Sequence, residues 1–241
     1  LSSILSLKAL TSKPDELRRE LEELYSFPRE EFLTIIRDLG FSCTGCGRCC
    51  TRAFNDHVFL LDDDVVRIRQ IMPEALIPAP YFEVCDQHGI FYVSGYALRC
   101  QENGDCIFLE KNRCTIYDDR FRICRVYPFM LHKEIGEDGK RDWRQIAGLN
   151  EHGDYHTDCS EEEYLRIADE TIRYEEDVLK NEIAFYSCCA EYFAVHGLRP
   201  VRRIYDHQMR LFESGKEVTV MVFSGGRFEK RILTRDDYCQ F

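Results

Sequence analysis

No stretch of this chain approaches the roughly 18 uninterrupted apolar residues that a membrane-crossing helix requires, so no membrane insertion is expected. A secretory leader is not expected either: Leu1 to Leu10 is apolar but brief, and no small-residue cleavage pattern follows it. Positive charge is in short supply. The formal net charge is −11, from 32 Lys and Arg against 43 Asp and Glu. No concentrated basic footprint of the kind that grips a phosphate backbone is visible, so no nucleic-acid partner is expected. The chain lacks a Walker-type GxxxxGK[ST] loop, a paired-glycine dinucleotide fingerprint behind a strand, and a nucleophile elbow. No internal repeat or low-complexity linker interrupts it. With 44% hydrophobic and 31% charged residues, intrinsic disorder and collagen-like structure drop out.

Cysteine, by contrast, is plentiful, with 13 residues, ten of them between Phe41 and Cys159. A chain of 241 residues can bury a core without disulfide staples. An odd number of cysteines cannot all pair within one chain. The expectation is a reducing, cytoplasmic setting in which the thiols are available as metal ligands.

The hydrophobic pattern divides the chain into three stretches, 1–40, 41–159 and 160–241. In the first, Thr11 or Ser12 is placed to cap a helix with Pro14 in its opening turn. A second helix opens at Pro28 and stops at Gly40. The middle has short elements: a helix capped by Asp62 that ends before Pro73, and strands at Val58–Leu61, Tyr81–Val84, Ile90–Val93 and Cys106–Leu109. Segments this irregular rarely cohere by hydrophobic burial alone, and a bound metal can supply the missing folding free energy. From Ser160 a capping box begins a helical pattern that runs nearly to Gly197, with a possible break near Asn181. Between Glu161 and Glu182 carboxylates outnumber basic residues nine to three, which reads as a solvated helix face. Pro200 restarts a helix, and Glu217–Phe223 and Arg227–Leu233 flank a Gly-Gly turn as a hairpin. The expected fold class is α+β: a small irregular cysteine-rich metal-binding core with helical N- and C-terminal flanks and a C-terminal β-hairpin.

The chemistry concentrates in Cys43-Thr44-Gly45-Cys46-Gly47-Arg48-Cys49-Cys50. Cysteines two residues apart let one tight turn aim two sulfurs at one centre, and the glycines between them permit left-handed backbone. The C-x2-C-x2-C run matches the opening of a bacterial-type ferredoxin, where thiolates hold iron. Cys49 and Cys50 are neighbours, so one of them is expected to serve a second centre, or a second iron of the same cluster. Further ligands are available at Cys106, Cys114, Cys124 and Cys159, making eight thiolates in all. Arg120 and Arg125 could offset the negative charge of such a site and donate hydrogen bonds to sulfur, tuning its potential. Equally, they could pair with Asp118 or Asp119 and order the turn. His152 and His156 could complete a mixed Cys/His site, Cys100 could substitute for a ligand, and Cys188-Cys189 is expected to be buried thiols in a helix.

These blocks resemble a known family. Phe41-Ser42-Cys43, Cys46-Gly47-Arg48-Cys49-Cys50, Cys106-Ile107-Phe108-Leu109, Cys114-Thr115-Ile116-Tyr117 and Cys124-Arg125-Val126-Tyr127-Pro128-Phe129 are similar, in order, to the CxxCxxCC or YkgJ-like family of zinc- or iron-chelating domains. The resemblance spans about Phe41 to Cys159. It implies that Cys159 corresponds to a later family cysteine, although His156-Thr157-Asp158-Cys159 matches less well. The family pattern has a proline after the first arginine of its Arg-Pro-x-x-Cys-Arg block, whereas here Phe121 follows Arg120.

Two readings of different class stand at this point. One is an iron–sulfur protein with one or two [4Fe–4S] clusters, acting in electron transfer or within a redox or protein-modifying complex. The other is a zinc-binding interaction module without turnover, since thiolates accept Zn2+ as readily as iron. The resemblance also implies a third, lysine N-methylation, because such domains occur in flagellin lysine N-methylases. Whether the chain is an enzyme, for instance an oxidoreductase-associated iron–sulfur protein, stays open.

Overall fold

The computed structural model describes residues 6–51, 54, 57–135, 141–145 and 151–238. In chain order the helices are α1 (Leu7–Ser26), α2 (Arg29–Leu39), α3 (Asp62–Ile71), α4 (Arg122–Val126), α5 (Glu161–His196) and α6 (Arg202–Glu213). The strands are β1 (Phe59–Leu60), β2 (Leu76–Pro78), β3 (Val84–Cys85), β4 (Phe91–Val93), β5 (Tyr96–Leu98), β6 (Leu109–Glu110), β7 (Arg113–Cys114), β8 (Phe129–Ile135), β9 (Arg141–Gln145), β10 (Val218–Ser224) and β11 (Arg227–Leu233). The fold is α+β, with helical flanks, small sheets and a C-terminal hairpin.

Helix α1 begins earlier than its sequence suggests. Ser6 is its N-cap, accepting from the Ala9 amide at 3.2 Å, and Pro14 lies inside the helix rather than in its first turn. Thr11 turns its hydroxyl back on the Leu7 and Lys8 carbonyls instead of capping. Pro28 and Gly40 bound α2 as expected, Gly40 in a left-handed conformation. In α3 the cap position is Leu61. Asp62 is the first helical residue, and its Oδ1 accepts from the Ser224 hydroxyl and the Gly225 amide at 3.0 Å, which ties α3 to the distant hairpin. Ser160 caps α5 by accepting from the Glu163 amide at 3.2 Å. No break occurs near Asn181. The helix runs 36 residues, and the Asn181 side chain donates to the Ser94 carbonyl at 3.0 Å.

Of the expected strands, those at 58–61 and 90–93 survive in trimmed form as β1 and β4, whereas those at 81–84 and 106–109 keep only their last residues, Val84 opening β3 and Leu109 opening β6. Five further strands were not expected: β2, β5 and β7 are only two or three residues long and show no alternation, while β8 and β9 are longer. Strand β5 pairs antiparallel with β1 and β2. The C-terminal hairpin is not an appendage. Its strand β10 runs parallel to β4, giving a four-stranded sheet in the order β11-β10-β4-β3. That sheet and the β1-β5-β2 sheet close over one core with Ile68, Phe82, Phe91, Ala97 and Val220, every one of them buried. The middle stretch therefore owns more apolar burial than its irregular pattern suggests, because residues from α6 and the hairpin complete it. A second core joins α1 and α2 to α5, with Leu17, Phe32, Ile36 and Ala168 buried beside Tyr127 and Phe129. The cysteine cluster lies between the two cores, Cys106 and Cys124 packing on the first and Cys49 on the second. No helix among the described residues is long and apolar enough to cross a membrane.

Candidate metal centre

Backbone pairing delivers distant cysteines to one place. After α2 stops at Gly40, Ser42 exchanges two backbone hydrogen bonds with Asp154, at 2.7 and 2.9 Å, while the Thr157 amide donates to the Gly40 carbonyl at 3.0 Å. The segment carrying His152 and Cys159 is thereby docked alongside the start of the CxxCxxCC loop. The loop ends in a single 3-10 turn, Arg48–Cys50, and the Cys106 amide donates to the Cys50 carbonyl at 2.8 Å. Gly47 permits the close approach: its φ is +74°, and a Cβ there would lie 2.7 Å from the Asn112 carbonyl oxygen. That contact presses the loop onto the β6–β7 hairpin, which carries Cys114. Helix α4 carries Cys124 and is held between neighbours, its Arg122 amide donating to Asp64 and its guanidinium bonding Asp177 of α5 at 2.5 Å.

All eight cysteines singled out from the sequence, Cys43, Cys46, Cys49, Cys50, Cys106, Cys114, Cys124 and Cys159, line a single cavity of about 240 Å³. Arg120, Arg125 and His152 line it as well, and Phe41, Phe108, Phe121, Tyr127 and Phe129 supply an aromatic wall. Cys43 and Cys46 are exposed at the rim, whereas the other six are partly buried. Among the described residues, no three His, Cys, Asp or Glu side chains converge closely enough to hold one ion. The sulfurs surround a space instead of meeting at a point.

The thiols feel one another. Burial raises Cys124 far above the ordinary thiol range, and the neighbouring Cys106, Cys49 and Cys114 add to the rise. Burial likewise pushes Cys106 up to about 11, with Cys114 and Cys49 contributing. Cys49 is raised by a hydrogen bond to Cys50, then by burial and by the nearby Cys50 and Cys46 charges. Cys46 behaves oppositely. Desolvation there is outweighed by hydrogen bonds from the Arg48 and Gly153 amides, its own amide and the Thr44 hydroxyl, so its thiol is lowered. A cation at the centre would relieve the mutual repulsion that holds the inner thiols protonated.

Arg120 turns to sulfur and not to the aspartates beside it. Its Nη1 donates to Cys43 Sγ at 3.4 Å, and its guanidinium stacks 4.3 Å from the centre of the Tyr117 ring. The Tyr117 hydroxyl donates to the Cys43 carbonyl at 3.2 Å. Arg125 also lines the cavity, and among the described residues it makes no ion pair. Phe121 takes the place of the family proline at no cost to the turn: its φ is −64°, a proline-like value, and its ring is buried against Phe108.

The remaining candidates separate clearly. Cys100 is disulfide-bonded and so is not a substitute ligand. Cys189 is fully buried and Cys188 half-buried in α5, as expected of core thiols. Cys85 is buried in β3, and Cys239 lies outside the described residues. His156 is exposed with its Nδ1 near the Asp38 carbonyl, away from the cavity lining. His152 does belong to the cavity, as does Tyr117, a residue of the Cys114 block to which the sequence alone assigns no role.

Residues 42–146 match the CxxCxxCC family model, described as a "putative zinc- or iron-chelating domain". Over that span the chain is similar to this cysteine domain, and His152 and Cys159 lie beyond the matched residues. No curated protein and no solved structure matches the chain.

Proposed function

We propose that this protein binds an iron–sulfur cluster of the [4Fe–4S] type, held by thiolates drawn from the eight cavity cysteines, and that it serves electron transfer within a larger redox complex. The observation that carries this reading is one shared cavity reached by thiols from five separate stretches of chain. A space of about 240 Å³ greatly exceeds the ~10–15 Å³ that admits a single water. A lone tetrahedral zinc, by contrast, sits about 2.3 Å from each sulfur and leaves no space among them. The dispersed thiols fit a multi-atom inorganic core better than one ion.

When bound, such a cluster accepts and releases one electron at a time. The protein's part is to set the conditions: Arg120 offsets thiolate charge at Cys43, and the aromatic wall restricts water on the buried side. The test is anaerobic isolation of the full chain followed by iron, zinc and acid-labile sulfide analysis. Iron with matching sulfide, and a brown colour that bleaches on reduction, is the expected result. A colourless protein with stoichiometric zinc and no sulfide overturns it in favour of the zinc-binding interaction module.

A further inference from the structure

His152 is about nine-tenths buried, at 7% exposure, and it lines the cysteine cavity. Its ring is fixed on two sides, packed 5.3 Å from the Tyr127 ring and 4.9 Å from that of Phe54. One nitrogen is engaged: Nε2 lies 2.6 Å from the Tyr127 hydroxyl oxygen and shares a hydrogen bond with it. The other, Nδ1, is buried and has no hydrogen-bond partner among the described residues. A buried polar atom left unsatisfied is uncommon in folded proteins and calls for a specific reason. Metal-ligating histidines share this arrangement, in which the nitrogen that does not bind metal is held by a polar neighbour that fixes ring and tautomer.

We propose that His152 is a nitrogen ligand of the metal centre in the cysteine cavity, binding through Nδ1, with Tyr127 as the residue that positions its ring. The inference rests on the iron–sulfur reading above and sharpens it, since it makes the centre a mixed sulfur and nitrogen site. With Nε2 carrying its proton toward Tyr127, Nδ1 would keep its lone pair for a metal, and the imidazole would be neutral as ligation requires. His152 also follows from the docking already described. The Ser42–Asp154 backbone pair carries the ring to the cluster loop from a point two residues away. Replacing a thiolate by a neutral imidazole raises the potential of a cluster, as in Rieske centres.

The test uses the full chain isolated anaerobically, with bound metal first quantified by elemental analysis. X-ray absorption at the iron edge then reads the ligand shell, and pulsed EPR of the reduced protein reads coupling to ¹⁴N. The wild type is expected to show ¹⁴N coupling and a light scatterer inside the sulfur shell. His152→Ala is expected to lose both, while Tyr127→Phe keeps the nitrogen signal with an altered coupling. An all-sulfur shell without ¹⁴N coupling in iron-loaded wild type overturns the assignment and leaves the iron–sulfur reading standing. Wild type without iron overturns both. Should His152→Ala fail to fold, the wild-type spectra still decide the matter.

Discussion

Arg120 Nη1 stands 3.4 Å from Cys43 Sγ, and the same guanidinium lies flat on Tyr117, whose hydroxyl donates to the Cys43 carbonyl. The rim cysteine is thus gripped twice by one short stretch of chain. With the proposed iron–sulfur cluster bound, removing the positive charge would make its reduced state harder to form. Arg120→Ala is expected to lower the reduction potential by about 65–130 mV, taking a charge-assisted hydrogen bond as about 1.5–3 kcal/mol and 59 mV per tenfold change for one electron. Arg120→Lys, which keeps charge but not the stacked fork, should fall between the two. Redox titration of the three proteins checks the order.

Metal loading should release protons. Cys106, Cys124 and Cys49 are all held protonated near neutral pH by burial and by their neighbours, yet a metal takes thiolates. Apparent affinity is expected to rise with pH and to collapse in mild acid. In the metal-free protein the sign is opposite. Cys106 titrates near 11 when folded and near ~8.5 when unfolded, so its contribution to stability is present below about 8.5 and is lost as pH rises toward 11. Denaturation of metal-free and loaded protein across pH 7 to 11 should show the two trends diverging.

Gly47 offers a geometric test. Gly47→Ala meets the Asn112 carbonyl oxygen and the Leu109 side chain at 2.7 Å in a left-handed backbone, for which the conformation alone costs about 1–2 kcal/mol. It should lower both melting temperature and metal content. Gly197→Ala shares the positive φ but meets nothing within 4 Å, so it should cost stability and leave metal content unchanged.

Glu83 is an acid with a buried carboxyl oxygen, away from the lining of the cysteine cavity. Residue 83 as a whole is half-buried, but its Oε2 is fully enclosed and without a partner, while Oε1 accepts from the Ser94 amide and hydroxyl. Burial pushes its carboxyl up to about 7 against those hydrogen bonds. The folded form therefore keeps the proton between about 4.5 and 7 where the unfolded chain loses it, so stability is highest below 4.5 and falls as pH rises to 7. Glu83→Gln should flatten that slope and raise stability at pH 8 by about 1–3 kcal/mol, as measured by denaturant titration at pH 5 and pH 8.

The eight thiols were legible because ligation demands one residue type at short, recognisable spacings, and Gly40, Pro28 and Ser160 announced helix ends for similarly local reasons. What stayed hidden depends on partners far along the chain. Asn181 looks like a helix breaker until its amide finds the Ser94 carbonyl. Asp62 looks like a cap until its carboxylate finds the hairpin turn. Strand β5 has all three residues buried, so it offers no alternation to read. Tyr117 lies in a recognisable block and His152 was a candidate from the sequence, but the contacts of Tyr117 with Cys43 and Arg120 and of His152 with Tyr127 arise only when separate loops dock.

The parallel seam between β10 and β4 bears on how this protein could be dissected. A fragment ending at Cys159 would keep every cavity thiol but strip one flank of β4 of its hydrogen-bond mates and lay Val220's neighbours open to water. Such naked flanks recruit other chains, so the excised cysteine module should self-associate on its own, whereas a chain that keeps α6 and the hairpin should behave as a discrete particle.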